Sequence, residues 1–221
     1  MQSFTEENYL KVIYHLSQVS PYPVQTNAIA EKMQTRAASV TDMLKKLFDK
    51  ELIDYKKYQG VTLTEKGKTI AIRVVRKHRL WEVFLVEKLK FRWDEVHEIA
   101  EELEHINSVT LIERLDDFLG YPKRDPHGDP IPNQHGIFEP AQNTSLHEIE
   151  KNTHAAIIGV TEHAPAFLRH LEKLELTIGV VIELVEITEY DGSVELLVNG
   201  KRVNISREVA QHILVNCKEI A

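Results

Sequence analysis

The chain has 221 residues, 43% of them apolar, a net charge of −7 and a single cysteine. That length gives one large or two small domains, and the composition is too apolar for a chain dominated by disorder. One cysteine, Cys217, makes neither an internal disulfide nor a cysteine-rich zinc module; the start MQSFTEENYL carries no signal-peptide pattern, and no apolar run reaches the ~18 residues of a membrane span. The expectation is a soluble, unprocessed cytoplasmic protein with no membrane partner, and the acidic balance alone argues against nucleic acid.

The first predicted helix covers Thr5 to Ser17, with Thr5 as N-cap, Glu6 and Glu7 in the first turn, and Tyr9, Val12, Ile13 and Leu16 at helical spacing. A second starts at the cap Thr26 and runs to Met33, and a third covers Ala37 to Lys50 with Val40, Met43, Leu44 and Leu47 inward. LIDYKKYQGVTLT then reads as two short strands around Gln59-Gly60. Three short helices and a hairpin make a winged helix-turn-helix with Ala37 to Asp49 as recognition helix, the alternative being a generic small helical bundle.

Thr64 caps a long helix, and WDEVHEIAEELEHI and SVTLIERLDDFL follow it as two more, with apolar stripes wide enough for mutual packing and a second subunit. Pro122, Pro126, Pro130, Pro132 and Pro140, with Gly120, Gly128 and Gly136, exclude a long helix or central strand and place a boundary within residues 121–150. Beyond it HAAIIGVT, VVIELVEITEY, SVELLVNG and RVNIS alternate like strands, with turns at Asp191-Gly192 and Asn199-Gly200, and APAFLRHLEKL fits a short helix. The predicted class is mainly α with β: a winged helix-turn-helix domain over 1–73, a helical metal-binding and dimerisation domain with the Pro-rich loop over 74–140, and an SH3-like (FeoA-like) β-barrel over 150–221.

The charge is unevenly spread. Residues 1–73 hold 11 basic and 8 acidic side chains, a surplus of +3, and the remainder carries −10. Arg36, Lys45, Lys46, Lys56 and Lys57 fall on the predicted recognition helix and wing, where phosphates flank a major groove. At the start of that helix Arg36, Ala37, Ala38, Ser39 and Thr41 are placed to reach base edges, Arg36 toward a guanine and the two alanines toward thymine methyls. A dimer on a palindromic double-stranded operator would supply the specificity that one small reading head lacks.

His97, Glu101, Glu104 and His105 stand at i, i+4, i+7 and i+8, on one helical face, and His78 and Glu82 repeat the i, i+4 pairing on the preceding helix. Two such faces on neighbouring helices suit a metal site, although any one pair alone is more often a surface ion pair. Of the Glu-x-x-His motifs a di-iron enzyme needs on two helices, only Glu102 to His105 is present, and HExxH, a glycine-rich phosphate loop and GxSxG are missing from the sequence. No catalytic residue is expected. Two rival readings are a metal-binding helical enzyme, and a metal-independent DNA-binding adaptor whose SH3-like domain recruits a peptide.

EENYLKVIY, SVTDMLKKL, GVTLTEKGK, RKHRLWEVFL, VHEIAEELEH, DPHGDPIP and VNGKRVNIS together resemble the iron- and manganese-dependent repressors related to the diphtheria toxin repressor, over essentially the whole length. The resemblance implies two metal sites per subunit. The principal one would use Asn8, Glu101, Glu104 and His105; the second would use His78, Glu82, His97, Asp125, His127 and Glu162. Relatives commonly carry Asp or Met at position 8, and some manganese regulators carry a carboxylate where this chain has Lys11, so a two-metal principal cluster is not expected here. The oxygen-rich donor set favours Mn²⁺, with Fe²⁺ next and Zn²⁺ bound in vitro. The implied function is a homodimeric, metal-activated repressor of manganese or iron uptake genes, with the metal locking the dimer in its operator-binding geometry.

Overall fold

The computed structural model describes residues 2–20, 22–56, 59–139 and 144–217. The chain divides into two compact units, one of residues 1–78, 101–112 and 132–137, the other of residues 79–100, 113–131 and 138–221. No helix among the described residues is long and apolar enough to cross a membrane.

In the first unit α1 (Phe4–Val19), α2 (Thr26–Lys32) and α3 (Ala37–Asp49) precede β1 (Ile53–Lys56), β2 (Gly60–Leu63) and the opening turns of α4 (Glu65–Glu87). The cap of α1 is Ser3 rather than Thr5: the Ser3 hydroxyl accepts from Glu6 N–H while the Glu6 carboxylate accepts from Ser3 N–H. This reciprocal box satisfies two orphan donors at once, and Thr5 has no glutamate three residues on to match it. Thr26 likewise lies inside α2, whose N-cap Gln25 makes no side-chain capping bond. Thr64 does cap α4, its hydroxyl accepting from Gly67 N–H.

Leu10, Ile13, Ile29, Val40, Leu44 and Leu47 are fully buried, α1 and α3 contributing positions three or four apart, and each side chain stabilises the unit by about 1.5–3 kcal/mol. The hairpin pairs antiparallel from Ile53 opposite Leu63 to Lys56 opposite Gly60, and Val24 bridges to Val61. A Cβ at Gly67 would lie 1.9 Å from the Leu52 carbonyl oxygen, so only glycine lets the first turn of α4 pack hard against the backbone just before β1. These elements form the winged helix-turn-helix.

The second unit takes the rest of α4, most of α5 (Val96–Leu103), the end of α6 (Val109–Phe118) and a six-stranded antiparallel sheet. Its strands are β3 (Thr144–Ser145), β4 (Thr153–Val160), β5 (Val181–Ile187), β6 (Val194–Val198), β7 (Lys201–Ile205) and β8 (Ile213–Asn216), in the order β3-β8-β4-β5-β6-β7. Among the described residues the strands expected to form a small barrel pair as this one six-stranded, SH3-like sheet. The short helices α7 (Pro165–Lys173) and α8 (Arg207–Gln211) complete the unit, and Leu146, Ile157, Leu168, Leu171, Leu184 and Leu196 form part of one core. Asn199 (φ +50°) and Gly200 (φ +78°) make the two-residue turn from β6 to β7, the left-handed pair a tight hairpin requires.

The Pro-rich loop is anchored rather than loose. Asp125 Oδ1 accepts from the N–H groups of His127 and Asp129, both at 2.9 Å. The His127 carbonyl accepts from Val160 N–H on β4 at 2.9 Å. Gly128 has φ +90°, and a Cβ there would sit 2.2 Å from the Ile158 carbonyl oxygen. The loop thus lies flat on β4 with the side chains of Asp125 and His127 buried.

Candidate metal centres and nucleic-acid face

The first unit gathers a charged cluster from three segments. Helix α1 brings Glu7 and Lys11, one turn apart, with Asn8 next to Glu7 in the chain; α4 brings Lys77 and His78; the end of α5 and the turn after it bring Glu101, Glu104 and His105. Glu104 is fully buried. The Lys11 ammonium lies 2.6 Å from Glu101 Oε1 and 2.6 and 2.8 Å from the two oxygens of Glu104. His78 Nδ1 is 2.7 Å from Glu104 Oε2. His105 Nδ1 is 2.7 Å from Glu7 Oε2, and the ring of Phe4 stacks on that imidazole at 4.7 Å. An ionised carboxylate can only accept, so His105 donates to Glu7 through Nδ1, and its Nε2 lies 3.8 Å from Glu104 Oε1.

Asn8 Oδ1 is buried with no hydrogen-bond partner, an acceptor that costs free energy until something positive meets it. Lys77 sits 3.9 Å from Glu7 Oε2; burial holds its ammonium below the ordinary lysine range, Glu7 and Glu104 pulling the other way. The donors present are carboxylate and amide oxygens with imidazole nitrogen, a set that fits a hard-to-borderline divalent ion, and the buried, unpartnered Asn8 oxygen is an acceptor of the kind such an ion would satisfy.

The second unit holds a smaller cluster. Glu82 on α4 and Asp125 and His127 on the loop are buried, with donor atoms all within 4.8 Å of one another. His127 Nε2 lies 2.8 Å from the Trp93 carbonyl oxygen, to which it must donate. That leaves Nδ1, buried without a hydrogen-bond partner, facing Glu82 Oε2 at 3.6 Å. A ring fixed by a backbone carbonyl on one nitrogen and turned to carboxylates with the other is the usual outer support of a metal-binding histidine. Burial lowers the affinity of His127 for a second proton, but Glu82 and Asp125 outweigh it and push the pKa up to about 9. Burial, with Glu82 and Asp129 adding to it, raises Asp125 to about 7 against the pull of Arg79 and His127. Arg79 lies 3.5 Å from Asp125 and 3.0 Å from Asp129 and donates to the Pro130 carbonyl.

Of the residues expected at the second site, Glu82, Asp125 and His127 lie together, and His97 Nδ1 is 3.6 Å from Glu82 Oε1 with its side chain half exposed. His78 lies against Glu104 in the first unit. Glu162 Oε1 accepts from Ala164 N–H at 2.7 Å, at the start of α7. Its neighbour His163, which sequence reasoning passed over, stacks on His127 at 4.8 Å, and burial lowers its pKa. Glu7 was read only as a first-turn acid; its position beside Asn8 and one turn before Lys11 was the signal that could have found it.

On α3 the stripe of Val40, Leu44 and Leu47 is buried while Arg36, Ala37, Ala38, Ser39, Lys45 and Lys46 are exposed on the other side. Thr41 is half-buried and its hydroxyl donates to the Ala37 carbonyl. Lys56, at the end of β1, is exposed; Lys57 lies outside the described residues.

Three family models match: the iron-dependent repressor N-terminal DNA-binding domain over residues 1–61, the iron-dependent repressor metal-binding and dimerisation domain over 64–133, and the FeoA domain over 144–217. The iron-dependent repressor IdeR of Mycobacterium tuberculosis is 30% identical over 223 residues, covering 96% of each chain. The HTH-type transcriptional regulator MntR of Oceanobacillus iheyensis is 38% identical over 119 residues, 54% of this chain and 80% of that one. Among solved structures, a manganese-dependent transcriptional repressor in complex with manganese matches with a TM-score of 0.85 at 33% identity, over 96% of this chain and 99% of that one. The manganese regulator SloR matches with a TM-score of 0.75 at 37% identity, over 96% and 98%. With the relationship spanning both the winged unit and the segments that carry the clusters, the chain belongs to the iron-dependent repressor family, whose members include the diphtheria toxin repressor.

Proposed function

We propose that the chain is a homodimeric, metal-activated transcriptional repressor that binds palindromic operator DNA in the cytoplasm and controls manganese or iron uptake genes. The single observation that carries this reading is the buried, unpartnered acceptor of Asn8, set on the first helix of the winged unit between Glu7, which meets His105, and Lys11, which meets Glu101 and Glu104.

Asn8, Glu101, Glu104 and His105 are the proposed principal ligands, with His78 held against Glu104 at 2.7 Å. Glu7 orients His105 through Nδ1, which leaves Nε2 as the nitrogen for the ion. Glu82, Asp125 and His127 form the proposed second site. A bound divalent ion would supply positive charge shared among donors from α1 and from the end of α5. Asn8 and Glu7 are on the helix against which α2 packs, so restraining α1 restrains the orientation of α3. The chain's contribution is a shift in population toward the arrangement in which the exposed Arg36, Ala37, Ala38 and Ser39 fit the groove. The donors are oxygen and imidazole without thiolate, which favours manganese, then iron, and lets zinc bind in vitro.

Loss of the free-ion EPR signal of Mn²⁺ measures binding to the full-length chain. Asn8→Leu keeps the bulk and removes the acceptor, and it should weaken the tighter class of sites by about tenfold, the cost of one lost ligand of ~1.4 kcal/mol. Unchanged binding would remove Asn8, and the principal-site assignment built on it.

A further inference from the structure

Lys11 occupies the cluster in a way the metal-site reading does not use. An ammonium has three donors and no acceptor, and here all three are accounted for: one to Glu101 and one to each oxygen of Glu104, at 2.6, 2.6 and 2.8 Å. The side chain is nearly buried, with 10% of its surface exposed. It reaches across from α1 to the end of α5, so it joins the two segments that donate the proposed metal ligands.

From this we infer that Lys11 is a tethered cation that competes with the metal ion for the Glu101 and Glu104 oxygens and thereby sets the metal concentration at which the principal site fills. The inference rests on the proposed metal-site reading of this cluster. Without metal, Glu7, Glu101 and Glu104 place three negative charges in one partly buried space, and Lys11 and Lys77 offset two of them. A divalent ion approaching the same carboxylates meets a positive charge already in hydrogen-bond contact with both. Either the ammonium withdraws, losing three charge-assisted hydrogen bonds, or it remains at close range and repels the ion. Both routes weaken metal binding. The same contacts hold α1 to the α5 end in the metal-free chain, so Lys11 makes the empty site stable and costly to fill.

Competition and plain structural support predict opposite signs. A lysine that only supported the fold would, on neutralisation, leave metal affinity unchanged or lower it. Under competition, Lys11→Gln lowers the melting temperature in chelator and tightens Mn²⁺ at the Asn8-dependent site by about tenfold or more, because one unit charge at close range has been removed. Lys11→Arg keeps the charge and should stay near the wild-type affinity. The probe is Mn²⁺ alone, followed by EPR in the full-length chain, with the relevant site identified as the one lost in Asn8→Leu. Equal or weaker binding by folded Lys11→Gln overturns the inference, as does Lys11→Arg binding as tightly as Lys11→Gln. If Asn8→Leu removes no site, the metal-site reading itself has failed, and the inference with it.

A measurement on the wild-type chain covers the case in which Lys11→Gln does not fold. In chelator the buried ammonium should give a slowly exchanging ¹⁵Nζ resonance, missing from Lys11→Arg, and diamagnetic Zn²⁺ at full occupancy should abolish or strongly shift it. An unchanged resonance at full occupancy overturns the inference.

Discussion

In the first unit the carboxylates of Glu7, Glu101 and Glu104 are met by the fixed charges of Lys11 and Lys77; in the second, Glu82 and Asp125 are met largely by protons, with His127 raised to about 9 and Asp125 itself raised to about 7. The difference follows from what the chain supplies. Helix α1 can send a long side chain to the α5 end, so an ammonium reaches Glu104. The loop between Arg124 and Pro130 brings a histidine, not a lysine, to Glu82, and Arg79 is shared among Asp125, Asp129 and the Pro130 carbonyl. A cluster neutralised by a tethered cation is stable when empty, whereas one neutralised by protons stays under electrostatic strain as pH rises.

The sharpest way to break the comparison is at Glu104. Glu104→Ala leaves the Lys11 ammonium nearly buried with one carboxylate instead of two, and deprives His78 of its acceptor. Removing one partner of a buried pair costs about 3–5 kcal/mol, so denaturant unfolding in chelator should show a loss of that order. A loss under about 1 kcal/mol would mean that Glu104 is not neutralised by Lys11 in solution.

Asp125→Asn tests the proton-neutralised cluster. Folding raises the Asp125 pKa, so its contribution is fully present below the unfolded value near ~4 and is lost as pH rises through about 7. His127, also raised, contributes fully below its unfolded value near ~6.5 and loses that contribution as pH rises through about 9. Asn keeps the oxygen that accepts from His127 and Asp129 N–H but cannot ionise. The metal-free variant should therefore gain on wild type by up to about 4 kcal/mol at pH 8, at ~1.4 kcal/mol for each of the roughly 3 units by which the pKa is raised, and the gain should shrink toward pH 5. A deficit equal at both pH values would show that this cluster is not strained.

How far these clusters could be read beforehand differs from residue to residue. Apolar spacing of three and four placed the helices, because the buried stripe of α3 repeats at Val40, Leu44 and Leu47; β3, β8 and α8 were missed because so few residues carry no period. The hydroxyl of Thr5 and that of Ser3 look equivalent until the reciprocal partner Glu6 is considered. His78 and Glu82 share a helical face; His78 meets Glu104 and Glu82 faces His127, partners that spacing on one helix cannot show. Lys11 was visible as a departure from a carboxylate, but its reach to Glu101 and Glu104 depends on tertiary packing. The burial of Asp125 and His127 depends on Gly128 lying flat against Ile158 and Gly159.

The smallest effect is expected at Asp94, a buried carboxylate paired at a solvent-facing rim with Arg92 and Arg169 at 2.9 and 3.1 Å. Burial acts to raise its pKa, but the two guanidinium groups outweigh it and hold the carboxyl below the ordinary range. The stabilisation is present above the unfolded value near ~4 and is lost as pH falls through the lowered one. Because both arginines are about half exposed, Asp94→Asn should cost only about 0.5–1 kcal/mol at pH 7 and nothing at pH 2, read by denaturant unfolding at both. A pH-independent cost would assign the effect to packing.

The account stands or falls on metal-dependent DNA binding. A fluorescent palindromic duplex, selected from random sequence by the Mn²⁺-loaded chain, is titrated by anisotropy at one fixed salt concentration with Mn²⁺ and again in chelator. The account predicts at least about tenfold tighter binding with Mn²⁺, a coupling of ~1.4 kcal/mol, and its loss in Glu104→Gln; equal affinity in Mn²⁺ and in chelator would contradict it.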